Sequence, residues 1–229
     1  MNNIKVIAFD ADDTLWENET FFRIVEAKFY TLLEEYISPQ ELSAELYKTE
    51  TGNLEIYGYG IKGFMLSMIE TALRVSQNKV KADIIAQIIA LGKEQLAEPV
   101  KILPGVETVL RSLKDKYKLV LATKGDLVDQ KRKLNLSGLN PYFSHVEIMN
   151  DKTIHEYKQL IDDLNCSPCE FLMIGNSLKS DVQPILELGG YAAHIPFHVT
   201  WSHEQIDKPI EPKRFVELHQ IEDVLTYVP

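Results

Sequence analysis

Three acids crowd into four residues, Asp10-Ala11-Asp12-Asp13, directly after the short apolar run Lys5-Val6-Ile7-Ala8-Phe9 and just before Thr14. Near-extended backbone places residues two apart on the same side, so Asp10 and Asp12 can face one cleft. Carboxylates this close repel one another unless a cation, a proton or solvent relieves them. Taken alone, the cluster also fits an acidic loop, or a helix start capped by Asp12 or Asp13. Three other places in the chain add chemistry to it: Ala122-Thr123-Lys124-Gly125, Asn150-Asp151-Lys152, and Gly175-Asn176-Ser177 with Asp181 following. Hydroxyl, backbone N–H and ammonium donors can hold phosphoryl oxygens, and carboxylates can hold Mg²⁺.

Each of these groups ends a short apolar run, as expected of strands buried on both faces. The runs are Val6–Phe9, Leu119–Ala122, Val146–Met149 and Phe171–Ile174, with a fifth at Tyr191–Ile195. Helical patterns separate the last four, which predicts right-handed βαβ units, a Rossmann-like parallel sheet and helices on both faces. Ligands in such sheets bind beyond the carboxyl ends of the strands, where all four groups fall. The interval between the first two runs breaks the rhythm. From about Trp16 to Glu98 the pattern is helical almost throughout: Phe22, Val25, Phe29, Leu32 and Leu33 share a helical spacing, as do Phe64, Ile69, Ala72 and Leu73. Ser38-Pro39-Gln40-Glu41 reads as a helix start and Gly52 as a stop. Gly58, Gly60 and Gly63 around Tyr57 and Tyr59 predict a bend between helices. The expected organisation is an α/β core formed by residues 1–15 and 99–229, with a helical domain inserted over 16–98. Leu103-Pro104-Gly105 opens the next core helix.

With its motifs in this order, the chain resembles the haloacid dehalogenase-like superfamily over nearly its whole length. That family's Asp-x-Asp-x-Thr stands here as Asp10-Ala11-Asp12-Asp13-Thr14, its second-motif Ser or Thr as Thr123, and its third-motif Lys as Lys152. Its fourth motif appears as Gly175-Asn176-Ser177-Leu178-Lys179-Ser180-Asp181, and the helical insert looks like the family's α-helical cap. The resemblance implies a Mg²⁺-dependent phosphohydrolase acting on a small phosphorylated metabolite. Asp10 would attack phosphorus and form an acyl phosphate, splitting one displacement into two. Asp12 would protonate the leaving oxygen, then take a proton from the water that hydrolyses the intermediate. Mg²⁺ would be held by Asp10, the backbone carbonyl of Asp12, Asn176 and Asp181, letting an anionic nucleophile approach an anionic phosphate. Thr123, Lys124 and Lys152 would hold phosphate oxygens.

Two positions depart from the pattern. Where the family carries an Asp that ligates the metal, this chain has Asn176, whose amide oxygen can coordinate but brings no charge. Lys158 is a second candidate for the motif-three lysine, although Lys152 sits nearer the strand end. Relatives that displace halide from carbon generally lack the second acid of the first motif, so Asp12 favours phosphate chemistry over a dehalogenase. A phosphomutase and an inactive phosphate-ester-binding protein are the other readings of the same residues.

The remaining features narrow the partners. A formal net charge of −10 repels nucleic acid and anionic membranes, yet a local set of donors and a cation can reverse that field inside one cleft. No charged n-region precedes a long apolar stretch, and no apolar run approaches the roughly 18 residues of a membrane span, so the expected location is the cytoplasm. Cys166 and Cys169 form a C-x-x-C between a helix and a strand, at the far end of the sheet from the acids, and are read as incidental. His194 at the end of the fifth run, and His198 and His203 beyond it with Trp201, are expected to line the cleft rim rather than bind metal. Tyr57, Tyr59 and Lys62 are candidates to touch the leaving group or simply to pack.

Overall fold

In a computed structural model, which describes residues 3–206 and 213–228, six strands form one sheet in the order β3-β2-β1-β4-β5-β6. They are β1 Val6–Phe9, β2 Lys118–Lys124, β3 His145–Met149, β4 Phe171–Gly175, β5 Tyr191–His194 and β6 Phe215–Glu217. Every neighbouring pair is parallel, with Val6 opposite Lys118 on one side and Phe171 on the other. The chain builds outward from β1 through β2 to β3, then returns to the other side of β1 for β4. Strand order therefore reverses beside β1, which opens a crevice at the carboxyl ends of β1 and β4.

The twofold alternation of side chains explains why all four residues of β1 are buried. Ile7 and Phe9 join one apolar cluster with Val106, Val109, Leu110 and Leu113 of α5 (Val106–Leu113) and Leu134 of α6 (Leu127–Ser137). Val6 and Ala8 point the other way, into a cluster with Tyr157, Leu160 and Ile161 of α7 (Ile154–Asp163) and Ile185 of α8 (Gln183–Leu188). Helices thus cover both faces of the sheet. Burying one such Ile or Phe stabilises the fold by about 1.5–3 kcal/mol. The sixth strand has no counterpart in the sequence reading, because three residues are too few to show a period.

By contacts the chain divides into two compact units, Met1–Glu19 with Val100–Pro229, and Thr20–Pro99. The second is helical: α1 (Glu19–Leu32, beginning at the last residue of the first unit), α2 (Pro39–Tyr57), α3 (Ile61–Val75) and α4 (Ala82–Ala97). Its own core is built from Val25, Phe29, Leu42, Leu46, Phe64, Met68, Ala72 and Ile88. Ser38 caps α2 as expected, its hydroxyl accepting from the Glu41 N–H with Pro39 at the first position. The helix does not stop at Gly52, however. It runs one and a half turns further and ends at Gly58, whose φ of 69° and ψ of −172° form an extended positive-φ backbone that glycine alone adopts readily. Gly52 is exposed, with nothing outside its own helix backbone within 4 Å of where a Cβ would stand, and the helix absorbs its propensity cost. Leu73, assigned to the apolar spacing of α3, is instead exposed. Among the described residues no helix is long and apolar enough to cross a membrane.

Candidate active site

The chain leaves β1 in a tight turn that divides the three acids between different tasks. The Leu15 N–H bonds the Ala11 carbonyl and the Asp13 N–H bonds that of Trp16. This requires φ of 62° at Asp13, a conformation that Asp tolerates better than most residues. The Asp13 carboxylate accepts from the backbone N–H groups of Asn18 and Glu19 at 2.8 and 3.0 Å, so it caps the entry to α1. Burial, with the Asp12 charge beside it, pushes Asp13 up to about 8 despite those two donors. Asp10 and Asp12 take no part in that cap.

Asp12 is held by three donors from the same unit. The Nε1 of Trp16 donates at 2.6 Å, Nε2 of Gln130 at 2.7 Å and Nζ of Lys133 at 2.6 Å. Trp16 is fully buried in the core, so one ring both packs the fold and orients a carboxylate. Gln130 and Lys133 come from α6, whose start Asp126 caps by accepting from the Asp129 N–H. No sequence motif marked these two residues. Their only signal was the i, i+3 spacing of two polar groups on a helix that starts at the carboxyl end of β2.

Asp10 is buried and bonded on both oxygens. The Thr14 hydroxyl donates to Oδ2 at 3.0 Å, and Lys152 Nζ donates to Oδ1 at 2.5 Å. The same ammonium reaches Asp181 Oδ1 at 2.6 Å. Lys152 follows β3 and is buried, whereas Lys158 lies exposed on α7. Asp181 also accepts the Ser177 N–H at 3.0 Å, and it packs so tightly on Gly175 that a Cβ there would collide with its carboxylate. Burial pushes Asp10 up to about 7, against the pull of Lys152 and reinforced by the charge of Asp181. Burial works against the Lys152 ammonium, but Asp10 and Asp181 outweigh it and hold the group well above its usual range. One buried cation thus faces two buried carboxylates, and the set lacks one positive charge.

Asn176 lies where such a charge would sit. The end of its amide is 3.2 Å from both Asp10 Oδ2 and the Asp12 carbonyl oxygen. With nitrogen at that end, the amide donates to both. With oxygen there, that oxygen faces two other acceptors, its one donor being the Thr14 hydroxyl at 3.4 Å, and a cation would relieve the contact. Adjacent ligands of an octahedral Mg²⁺ at about 2.1 Å lie at about 3.0 Å from one another, so the donors present fit that ion. No group of three or more His, Cys, Asp or Glu side chains is placed to hold a metal among the described residues. The donors here are instead one carboxylate, one carbonyl and one amide, all of which Mg²⁺ accepts.

Thr123, at the end of β2, is buried and its hydroxyl has no hydrogen-bond partner among the described residues. The register pairing Phe9 with Leu121 puts it at the same end of the sheet as Asp10. Lys124, the next residue, is engaged by Glu204 at 2.6 Å and by the Ser180 hydroxyl at 2.8 Å. His194, the last residue of β5, and His203, beyond it, take different partners. His194 Nε2 is 3.0 Å from the Asn176 carbonyl oxygen, while His203 Nε2 is 3.0 Å from Lys179 Nζ. Cys166 and Cys169 are free thiols before β4. In the helical unit, the Tyr57 hydroxyl donates to Glu70 at 2.7 Å.

A parallel sheet that reverses beside β1, with a buried acid at its end and a lysine and further acids at the neighbouring strand ends, is the arrangement of one class of hydrolase fold. The chain belongs to the haloacid dehalogenase-like hydrolases, whose family pattern matches residues 4–189. The crystal structure of a haloacid dehalogenase-like family hydrolase from Xanthomonas campestris is 34% identical, with 99% of this chain and 91% of that one covered at a TM-score of 0.88. A HAD hydrolase from Bacillus subtilis bound to magnesium (18% identity, 99% of both chains, TM-score 0.67) shares the fold. So does a 2-haloacid dehalogenase from Pseudomonas syringae (17% identity, 99% of this chain and 100% of that one, TM-score 0.63). A search of curated proteins finds no match.

Proposed function

We propose that this hydrolase is a Mg²⁺-dependent phosphatase acting on a small phosphorylated metabolite through an aspartyl phosphate on Asp10. The observation that carries the reading is Asp12. A displacement on carbon releases halide and has no leaving oxygen to protonate, whereas here a second carboxyl is present and clamped by Trp16, Gln130 and Lys133. Asp10, the Asp12 carbonyl, Asn176 and, directly or through water, Asp181 would hold magnesium, which would supply positive charge beside two anions that must meet.

The protein's own groups then divide the work. An Asp10 carboxylate oxygen bonds to phosphorus as the ester P–O bond breaks, and Asp12, which must first exchange one of its three donors for a proton taken up from solvent, passes that proton to the departing oxygen. In the second half, Asp12 takes a proton from water as that water's oxygen bonds to phosphorus. The acyl P–O bond breaks, releasing phosphate and restoring Asp10. Lys152 holds Asp10 in place and places positive charge beside the phosphoryl oxygens. The Thr123 hydroxyl, a buried donor without a partner among the described residues, gains one in a phosphoryl oxygen.

Hydrolysis of p-nitrophenyl phosphate tests the reading, run with Mg²⁺, with chelator and on Asp10→Asn. Activity that requires Mg²⁺ and falls by about 10³-fold or more in the variant is expected, since the nucleophile is lost. Activity that survives the substitution would remove Asp10 as the nucleophile. Release of halide from 2-chloropropionate without metal would instead place the protein with the dehalogenases.

A further inference from the structure

Glu204 was one acid among 34 in the sequence, and nothing in its neighbourhood marked it. In the fold it lies in the short turn Ser202–Glu204 after β5, with its side chain only 12% exposed. Its carboxylate reaches two different strand-end loops. Oε1 accepts from Lys124 Nζ at 2.6 Å, next to Thr123 at the end of β2. Oε2 accepts from the hydroxyls of Ser177 and Ser180 at 2.5 Å each, in the loop after β4. Burial alone would push this carboxyl up, but Lys124 and the two hydroxyls outweigh it and lower it to about 2, so it is ionised.

Ser177 relays that anchorage into the site. With its proton committed to Glu204, the Ser177 oxygen is left to accept the Ser180 N–H at 2.9 Å, which caps the turn Leu178–Val182. The Ser177 N–H donates to Asp181 Oδ2 at 3.0 Å, Asp181 Oδ1 accepts from Lys152, and Lys152 donates to Asp10. An unbroken chain of hydrogen bonds therefore runs from Glu204 to the nucleophile. Asn176 is not a member of that chain but directly precedes Ser177, and its own backbone carbonyl is 3.0 Å from His194 Nε2. An amide ligand has no charge with which to draw a cation into place, so its oxygen must already be positioned when the ion arrives.

We propose that Glu204 is a positioning residue for the cation site, ordering the Asn176–Asp181 loop through Ser177 and Ser180 with Lys124 as its counter-ion. The proposal rests on the phosphatase reading and adds to it the device by which a site with Asn in place of Asp retains its metal. Isothermal titration of Mg²⁺ into the metal-free protein tests it, comparing wild type, Glu204→Gln, Ser177→Ala and the double variant, with thermal unfolding followed in parallel. Each single variant is expected to bind Mg²⁺ about 10- to 100-fold more weakly. The double variant should be no weaker than the worse single one, because both substitutions cut the same link. A lowered unfolding midpoint with Mg²⁺ affinity unchanged in either single variant would overturn the proposal and leave Glu204 a structural ion-pair partner. Ser177→Ala deletes only one hydroxyl and keeps the test open should Glu204→Gln fail to fold. A wild-type protein that binds no Mg²⁺ overturns the phosphatase reading as well, and does so before any substitution is compared.

Discussion

Lys133 and Asp12 lie 121 positions apart in sequence and 2.6 Å apart in the fold. If the lysine orients Asp12 for proton transfer, its removal matters only when the leaving group needs a proton. A nitrophenolate leaves unaided, whereas an alkoxide does not. Asp12→Asn is therefore expected to slow hydrolysis of an alkyl phosphate by about 10²–10⁴-fold and that of p-nitrophenyl phosphate far less. Lys133→Met should show the same selectivity with a smaller loss. Parallel kcat/KM measurements on the two substrates decide it: an equal loss on both would make Lys133 a general prop for the fold and not a guide for the proton.

At the scale of the element, the end of α2 shows where local signals compete. Gly52 reads as a stop because glycine is a poor helix former, but Gly58 holds the positive-φ backbone and ends the helix. Gly52→Ala meets nothing within 4 Å and should stabilise the protein by about 0.5–1 kcal/mol. Gly58→Ala, equally uncrowded, should destabilise it by about 1–3 kcal/mol through its φ of 69° and ψ of −172°. Urea unfolding of the two variants would check both signs, and a destabilised Gly52→Ala would return the helix end to Gly52. The strands that place Asp10, Thr123, Lys152 and Asn176 at one end of the sheet were legible, because each is a short apolar run with its polar group immediately after it. Gln130, Lys133 and Glu204 were not, since their roles arise from pairing across the fold; Glu204 meets Lys124 over a separation of 80 residues. β6 was missed for the opposite reason, being a three-residue edge strand with too little sequence to carry a pattern.

Over the whole molecule the charge is −10, while the proposed substrate is itself an anion. The local arrangement around Lys152 and a bound cation governs the last few ångströms of approach, but the outer field governs the rest. At about 10 mM salt the screening length is about 30 Å, comparable with the size of the protein, so the entire net charge lowers the concentration of a phosphate ester at the crevice. At about 150 mM it falls to about 8 Å and only nearby groups remain in play. With Mg²⁺ held at saturation, kcat/KM for a phosphate monoester is expected to rise about two- to fivefold over that range of KCl. The effect needs no diffusion-limited step, since it acts on the local concentration of substrate. A neutral substrate analogue should show no such rise. A fall in kcat/KM with salt would mean that positive groups at the crevice reach further than the net charge does, and that substrate is steered inward by a field the overall composition conceals.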